Sequence, residues 1–203
     1  MVEGSLKPLS VGGLVQLSYA QLSYAISVWG SYYNTDRLKG LFILQKKALR
    51  NLFSIRRISK HVRGHTKPIF DKHGILTVYN IYNYMTLLCT AKLLFTLKPT
   101  YLFELMHLEI TPSTRNNRIY LPFLKCAQYQ SNFCFQGPKL WNILSSNADL
   151  CNNITTAPSI NATKSRLKKF LMLIQSFNST ESDETWNEFN NSIPKYINHF
   201  RKW

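Results

Sequence analysis

The chain has 203 residues, 45% of them hydrophobic, enough for a packed core in one ordinary domain or two small ones. Its 25 Lys and Arg against 10 Asp and Glu leave a net charge of +15. That balance points to a polyanion, nucleic acid ahead of an anionic membrane surface, with a merely basic soluble surface as the plain alternative. Four cysteines with no Cys-x-x-Cys pair exclude a disulfide-stapled scaffold and suit a reducing compartment, nuclear or cytoplasmic.

Met1 to Ser10 lacks the basic-then-apolar run of a secretory signal, so secretion is not expected. The sequons at Asn153, Asn161 and Asn178 then read as chance in an Asn-rich stretch. Residues 1–13 are expected to be a leader. Val15, Tyr19, Leu22, Ile26, Trp29 and Tyr33 recur in fours and threes, one apolar face of a helix over 14–33. The same uncharged stretch admits two other roles, self-association through 15–33 or membrane attachment through 9–33. Gln16, Ser18, Gln21, Ser23 and Ser27 dilute it, so stable membrane insertion is not expected.

Asn34-Thr35-Asp36 caps a second helix over about 37–53. Leu38, Leu41, Phe42, Gln45, Ala48, Leu49 and Leu52 form its predicted inner stripe, with Lys39, Lys46, Lys47 and Arg50 toward the other side. Arg56, Arg57, Lys60 and Arg63 follow, and no acid occurs between Asp36 and Asp71. This densest basic surface is either a solvated face or a phosphate contact, and the missing Glu favours the contact. Thr66-Lys67-Pro68 starts a short helix that Gly74 ends. Residues 76–97 predict the longest apolar helix, with Val78, Ile81, Tyr82, Met85, Leu88 and Phe95 on one side. Lys98-Pro99 stops it.

After Pro112 the texture changes. Ile119-Tyr120-Leu121 and Phe133-Cys134-Phe135 are read as two short strands of a hairpin. Gly137-Pro138 is expected to force a turn, because Pro fixes its own φ and lacks an N–H. A helix bearing Trp141, expected as a buried anchor, follows. Tyr120, Phe123, Tyr129, Phe133, Phe135 and Trp141 read as hairpin core, with base stacking as the alternative. Ser159 to Gln175 predicts a basic amphipathic helix, with Ile160, Leu167, Phe170, Leu171 and Ile174 inward and Lys164, Arg166, Lys168 and Lys169 exposed. Residues 178–203 read as a tail that holds Glu181, Asp183, Glu184 and Glu188. The expected divisions are 14–65, a helical pair with a basic face; 66–112, a helical segment; and 113–177, a C-terminal module.

No catalytic centre is expected. Residues 1–177 hold only Glu3, Asp36, Asp71, Glu104, Glu109 and Asp149, all isolated, whereas phosphoryl transfer needs clustered carboxylates to hold divalent metal. Phosphate-binding and dinucleotide-binding glycine loops are absent from the sequence. His61, His65 and His73 lack a neighbouring Cys-x-x-Cys and read as linker histidines, so neither metal nor cofactor is expected.

Several segments, in order, resemble the C-terminal part of non-LTR (LINE-type, Jockey-like) retrotransposon reverse transcriptases. Leu22-Ser-Tyr-Ala-Ile-Ser-Val-Trp-Gly30 is similar to the family's Leu-x-Tyr-Gly-Ile-x-x-Trp-Gly helix, with Ala25 in place of Gly. Leu44-Gln-Lys-Lys-Ala-Leu-Arg50 resembles its basic helix, and Thr66-Lys-Pro-Ile-Phe70 with Ile81-Tyr82 its next segment, where Asn80 replaces a common acid. Thr114-Arg115 with Leu121-Pro122, then Phe135-Gln-Gly-Pro-Lys-Leu-Trp-Asn-Ile-Leu144, resemble later pieces, and Lys164 to Leu171 the last basic helix. The resemblance spans roughly residues 14–175. It implies a mainly α chain: a thumb-like helical segment plus a small α+β C-terminal module with a short β-hairpin, truncated from the catalytic palm. Lys39, Lys46, Lys47, Arg50, Arg56 and Arg57 would contact the backbone of a template–primer RNA or DNA duplex without sequence preference. Trp29, Gly137, Pro138 and Trp141 would be structural motif residues. Self-association, or a palm domain in trans, are the further partners that the resemblance allows.

Overall fold

The computed structural model describes residues 13, 19–24, 26, 35–54, 66–96, 101, 119–121, 132–145, 154 and 157–177. The described helices are α1 (Thr35–Leu52), α2 (Lys67–Lys72), α3 (Val78–Thr96), α4 (Phe133–Ser145) and α5 (Ile160–Phe177). The chain is mainly α, and no strand or hairpin occurs among the described residues.

The helix α3 is central because its sequence leaves it no wet side. From Val78 to Leu93 apolar and aromatic residues recur at every angle, and all but Met85, Cys89 and Lys92 in that span are buried. A helix that is apolar all round has to be surrounded. The helices α1, α4 and α5 surround it. They contribute Leu38 from α1, Leu140, Trp141 and Leu144 from α4, and Leu167, Leu171 and Ile174 from α5. Helical residues 19–23 and 26 join the same core: Ile26 is fully buried, with Tyr19 and Leu22 packed against it. Each fully buried Leu or Ile stabilises the fold by about 1.5–3 kcal/mol relative to exposure.

The buried connection between α2 and α3 poses a harder problem. Ile75, Leu76 and Thr77 are not helical, so their backbone groups have no ladder to join. Two glutamines from distant helices supply the partners. Gln45 Nε2 donates to Leu76 O (2.9 Å), and Gln45 Oε1 accepts from Val78 N–H (3.0 Å). Gln175 Nε2 donates to Ile75 O (2.9 Å), and its Oε1 accepts from Thr77 N–H (2.9 Å) and Asn80 Nδ2 (3.1 Å). Buried backbone groups are almost always paired, and here side-chain amides replace a neighbouring strand. Thr77 caps α3: its Oγ1 accepts from Asn80 N–H (3.4 Å).

The short helix α2 ends as the sequence predicts. Gly74 takes a left-handed φ of 59°. Ile75 N–H then reaches back to Phe70 O (2.9 Å) and Gly74 N–H to Asp71 O (3.3 Å), a Schellman cap. Phe70 and Ile75 also pack together in a second small core with Leu49.

Three expectations are corrected. Phe133-Cys134-Phe135 is the first turn of α4, not a strand: Phe135 and Gln136 N–H groups both bond Asn132 O (3.0 and 2.9 Å). Gly137-Pro138 does not turn the chain; both residues lie buried inside α4. Gly137, Leu140, Trp141 and Leu144 stand at i, i+3, i+4 and i+7. Burying that stripe outweighs the roughly 3 kcal/mol that an interior Pro costs a helix. Ala48 and Phe95 are exposed rather than inward, because α1 presents Leu49 to the core instead and Phe95 lies past the last buried turn of α3.

The other proposed strand, Ile119–Leu121, meets α4 through one side chain. Asn142 Oδ1 accepts from Ile119 N–H (2.7 Å) and Asn142 Nδ2 donates to Ile119 O (2.6 Å). Ile119 itself is buried in the main core.

Two outcomes follow from this packing. Gln45→Ala strands two buried backbone groups, each costing about 1–3 kcal/mol, so urea denaturation should show a loss of about 2–4 kcal/mol. Burial pushes the Tyr82 hydroxyl up to about 12, with a Thr86 hydrogen bond opposing it, and pushes Tyr19 up to about 12, helped by neighbouring Tyr84. Folding therefore favours the protonated phenols; this stabilisation is complete below pH 10 and is lost as pH rises toward 12. Thermal melts between pH 9 and 12 should show a decline, shallower in Tyr82→Phe by on the order of 2 kcal/mol at the alkaline end.

Candidate nucleic-acid interface

The helical period sorts the cations of α1 onto one flank. Lys39, Ile43, Lys46, Lys47 and Arg50 stand at i, i+4, i+7, i+8 and i+11, running from the edge of the inward stripe at Lys46 to the outer face at Lys47. Lys39 and Lys47 are exposed; Lys46 and Arg50 are half-buried. Lys46 Nζ sits 4.3 Å from the centroid of the Phe42 ring. That contact covers its aliphatic stem and holds the ammonium over the π face. Arg50 lies in the last turn of α1, where the helix dipole favours a cation.

The second small core joins α2 to this helix. Phe42 stacks at a tilt on Phe70 (6.2 Å, 42°) and on Tyr79 (5.3 Å, 54°), locking α2 and the start of α3 to α1. Phe53, just after α1, stacks on His73 at 4.3 Å and 32°. Half-buried Lys67 and exposed Lys72 and His73 belong to the segment that packs on α1 through Phe70 and Ile75. Asp71 is the one acid on α2, and it too is exposed. A further set of exposed cations, Lys164, Arg166, Lys168 and Lys169, lies on α5, where the amphipathic pattern predicts them.

Of the site residues expected from sequence, the structure therefore brings together Lys39, Lys46, Lys47 and Arg50. Arg56, Arg57 and Trp29 lie outside the described residues, as do His61 and His65. Gly137, Pro138 and Trp141 are buried in α4, and Trp141 is an anchor in the core as expected. Sequence reasoning missed the packing of Phe70 and Ile75 on Leu49, and of His73 on Phe53, which sets the Lys67–Lys72 helix against α1. It also passed over Asn142 and treated Gln45 only as part of an apolar stripe. A polar residue recurring at an inward position was the available signal.

Such a surface offers diffuse positive charge and no arrangement for reading base edges, the chemistry of backbone contact. Among the described residues no group of three His, Cys, Asp or Glu side chains could hold a metal ion. None of the described helices is long and apolar enough to cross a membrane. Burial pushes the thiols of Cys89 and Cys134 upward, with Lys92 opposing it at Cys89, which disfavours the reactive thiolate. No protein-family model, curated protein or solved structure gives a significant match to the chain.

Phe70→Ala tests the junction of α2 with α1. Removing a buried Phe costs about 3–5 kcal/mol, so equilibrium unfolding should show a loss of that size, and the upfield-shifted ring signals of Phe42 and Tyr79 should move in the NMR spectrum.

Proposed function

We propose that the chain binds RNA or DNA through its phosphate backbone and corresponds to the C-terminal, post-polymerase part of a non-LTR retrotransposon reverse transcriptase. The observation that supports this best is the α1 strip, in which Lys39, Lys46, Lys47 and Arg50 fall within about 100° of the helix surface. In a protein of net charge +15, such a strip is a surface for a polyanion. In this reading α1 is the thumb-like element that grips a template–primer duplex, and residues 113–177 form the C-terminal module. The short extended piece at Ile119–Leu121 is what that module has of a β-element. No residue is given a catalytic role; the palm that carries out synthesis would act from another part of the same polyprotein or in trans.

The binding is sequence-indifferent and salt-sensitive, because it works by displacing condensed counterions. The triple variant Lys46→Glu, Lys47→Glu, Arg50→Glu should weaken binding of a labelled duplex on the order of a hundredfold at low salt. It should also flatten the dependence of log affinity on log salt by about one per lost phosphate contact. Fluorescence anisotropy from 50 to 300 mM salt measures both, with circular dichroism to confirm that the helices persist. Unchanged affinity would remove α1 from the interface.

A further inference from the structure

We infer that the acidic segment 181–189 of this chain docks on the α1 strip and competes there with nucleic acid; the competition rests on the function proposed above, whereas the docking does not. Complementarity comes first. Glu181, Asp183, Glu184 and Glu188 are four of the ten acids in the chain, and no Lys or Arg interrupts them. Trp186 and Phe189 stand among them. The strip offers matching partners: Lys39, Lys46 and Lys47 beside Ile43 and Leu44, which are 39% and 57% exposed.

Position comes second. Gln175 near the end of α5 and Gln45 in the middle of α1 grip the same four-residue stretch, Ile75 to Val78. Two residues beyond Gln175 the helix α5 ends. The chain thus leaves the fold from the helix that shares the Ile75–Val78 stretch with α1. Four residues from Phe177 to Glu181 span up to about 13 Å, and the segment 181–188 up to about 25 Å. The strip from Lys39 to Arg50 is about 16 Å long. An extended segment 181–188 is therefore long enough to run alongside the strip. An occupant tethered this close acts at high effective concentration, so moderate attraction suffices. Nucleic acid then binds the fraction of molecules in which the strip is open, and its apparent affinity is lowered by that fraction.

Two measurements on the full chain test this. The first is zero-length carbodiimide cross-linking of the free protein, read by mass spectrometry on the monomer band. Links from Glu181, Asp183, Glu184 or Glu188 to Lys39, Lys46 or Lys47, suppressed by added duplex, are expected. The second is duplex affinity of the variant Glu181→Gln, Asp183→Asn, Glu184→Gln, Glu188→Gln, expected to be about tenfold tighter. A control, Glu104→Gln, Glu109→Gln, Asp149→Asn, alters net charge elsewhere and should tighten binding far less. Equal tightening in the control overturns the inference, as does a link pattern confined to Lys164, Lys168 and Lys169, or to a cross-linked dimer. If the links to α1 form and no variant binds nucleic acid, the docking stands while the proposed function falls.

Discussion

Two glutamine side chains hold the junction on which the rest of the molecule depends. The stretch from Ile75 to Val78 has to be buried, since it threads between α1, α5 and the start of α3, yet it has no regular hydrogen bonding of its own. Gln45 and Gln175 each present a donor and an acceptor to it, at separations of 2.9–3.0 Å. An amide side chain matches the spacing of a backbone N–H and C=O, so one glutamine does for this stretch what an adjacent strand would do. The two bonds from α1 and the two from α5 also set how those helices stand against α3. Apolar packing alone tolerates sliding; a buried amide pair that has to meet fixed partners does not.

The positions of the charged surfaces follow from that registration. With Gln45 fixed inward, helical geometry places Lys46 on the flank, Lys47 on the outer face and Arg50 one turn beyond Lys46. Phe42, four residues from Lys46, meets Phe70 and Tyr79 on the near side and the Lys46 ammonium on the other. The strip is therefore held by the core through its own side chains, and it carries its charge on a helix fixed in register.

Much of the architecture could be read from the amino-acid order. The apolar character of α3, the inward stripe of α5 and the stop at Gly74 all obey local rules, and the limits of α1, α3 and α5, though not the start of α4, fall within a few residues of expectation. What escaped was set by tertiary contact. Phe133-Cys134-Phe135 has strand-like composition, and Gly137-Pro138 is the usual mark of a break, but Leu140, Trp141 and Leu144 need a helix that continues backward through them to cover α3. Ala48 fits a helical stripe as well as Leu49 does; only the position of Phe70 and Ile75 distinguishes them. The candidate strip was legible in α1, where periodicity suffices. The packing of α2 on α1 was not, because it depends on a small core formed by residues more than twenty positions apart. The amide clamps were invisible for a related reason: a polar residue at an inward position announces a partner without saying which.

The clamp between Asn142 and Ile119 has a chemical consequence. It works because one planar group carries a donor and an acceptor side by side, meeting the N–H and C=O of a single residue. Hydrolysis of that amide to a carboxylate, the ordinary ageing reaction of asparagine, would keep the shape and reverse half of the match. Two oxygens would then face Ile119, one opposed by its carbonyl. In this protein, loss of one ammonia molecule at a partly buried site would leave Ile119 held to α4 by apolar packing and half its polar match, a form of wear to which a clamp built from backbone groups alone would be immune.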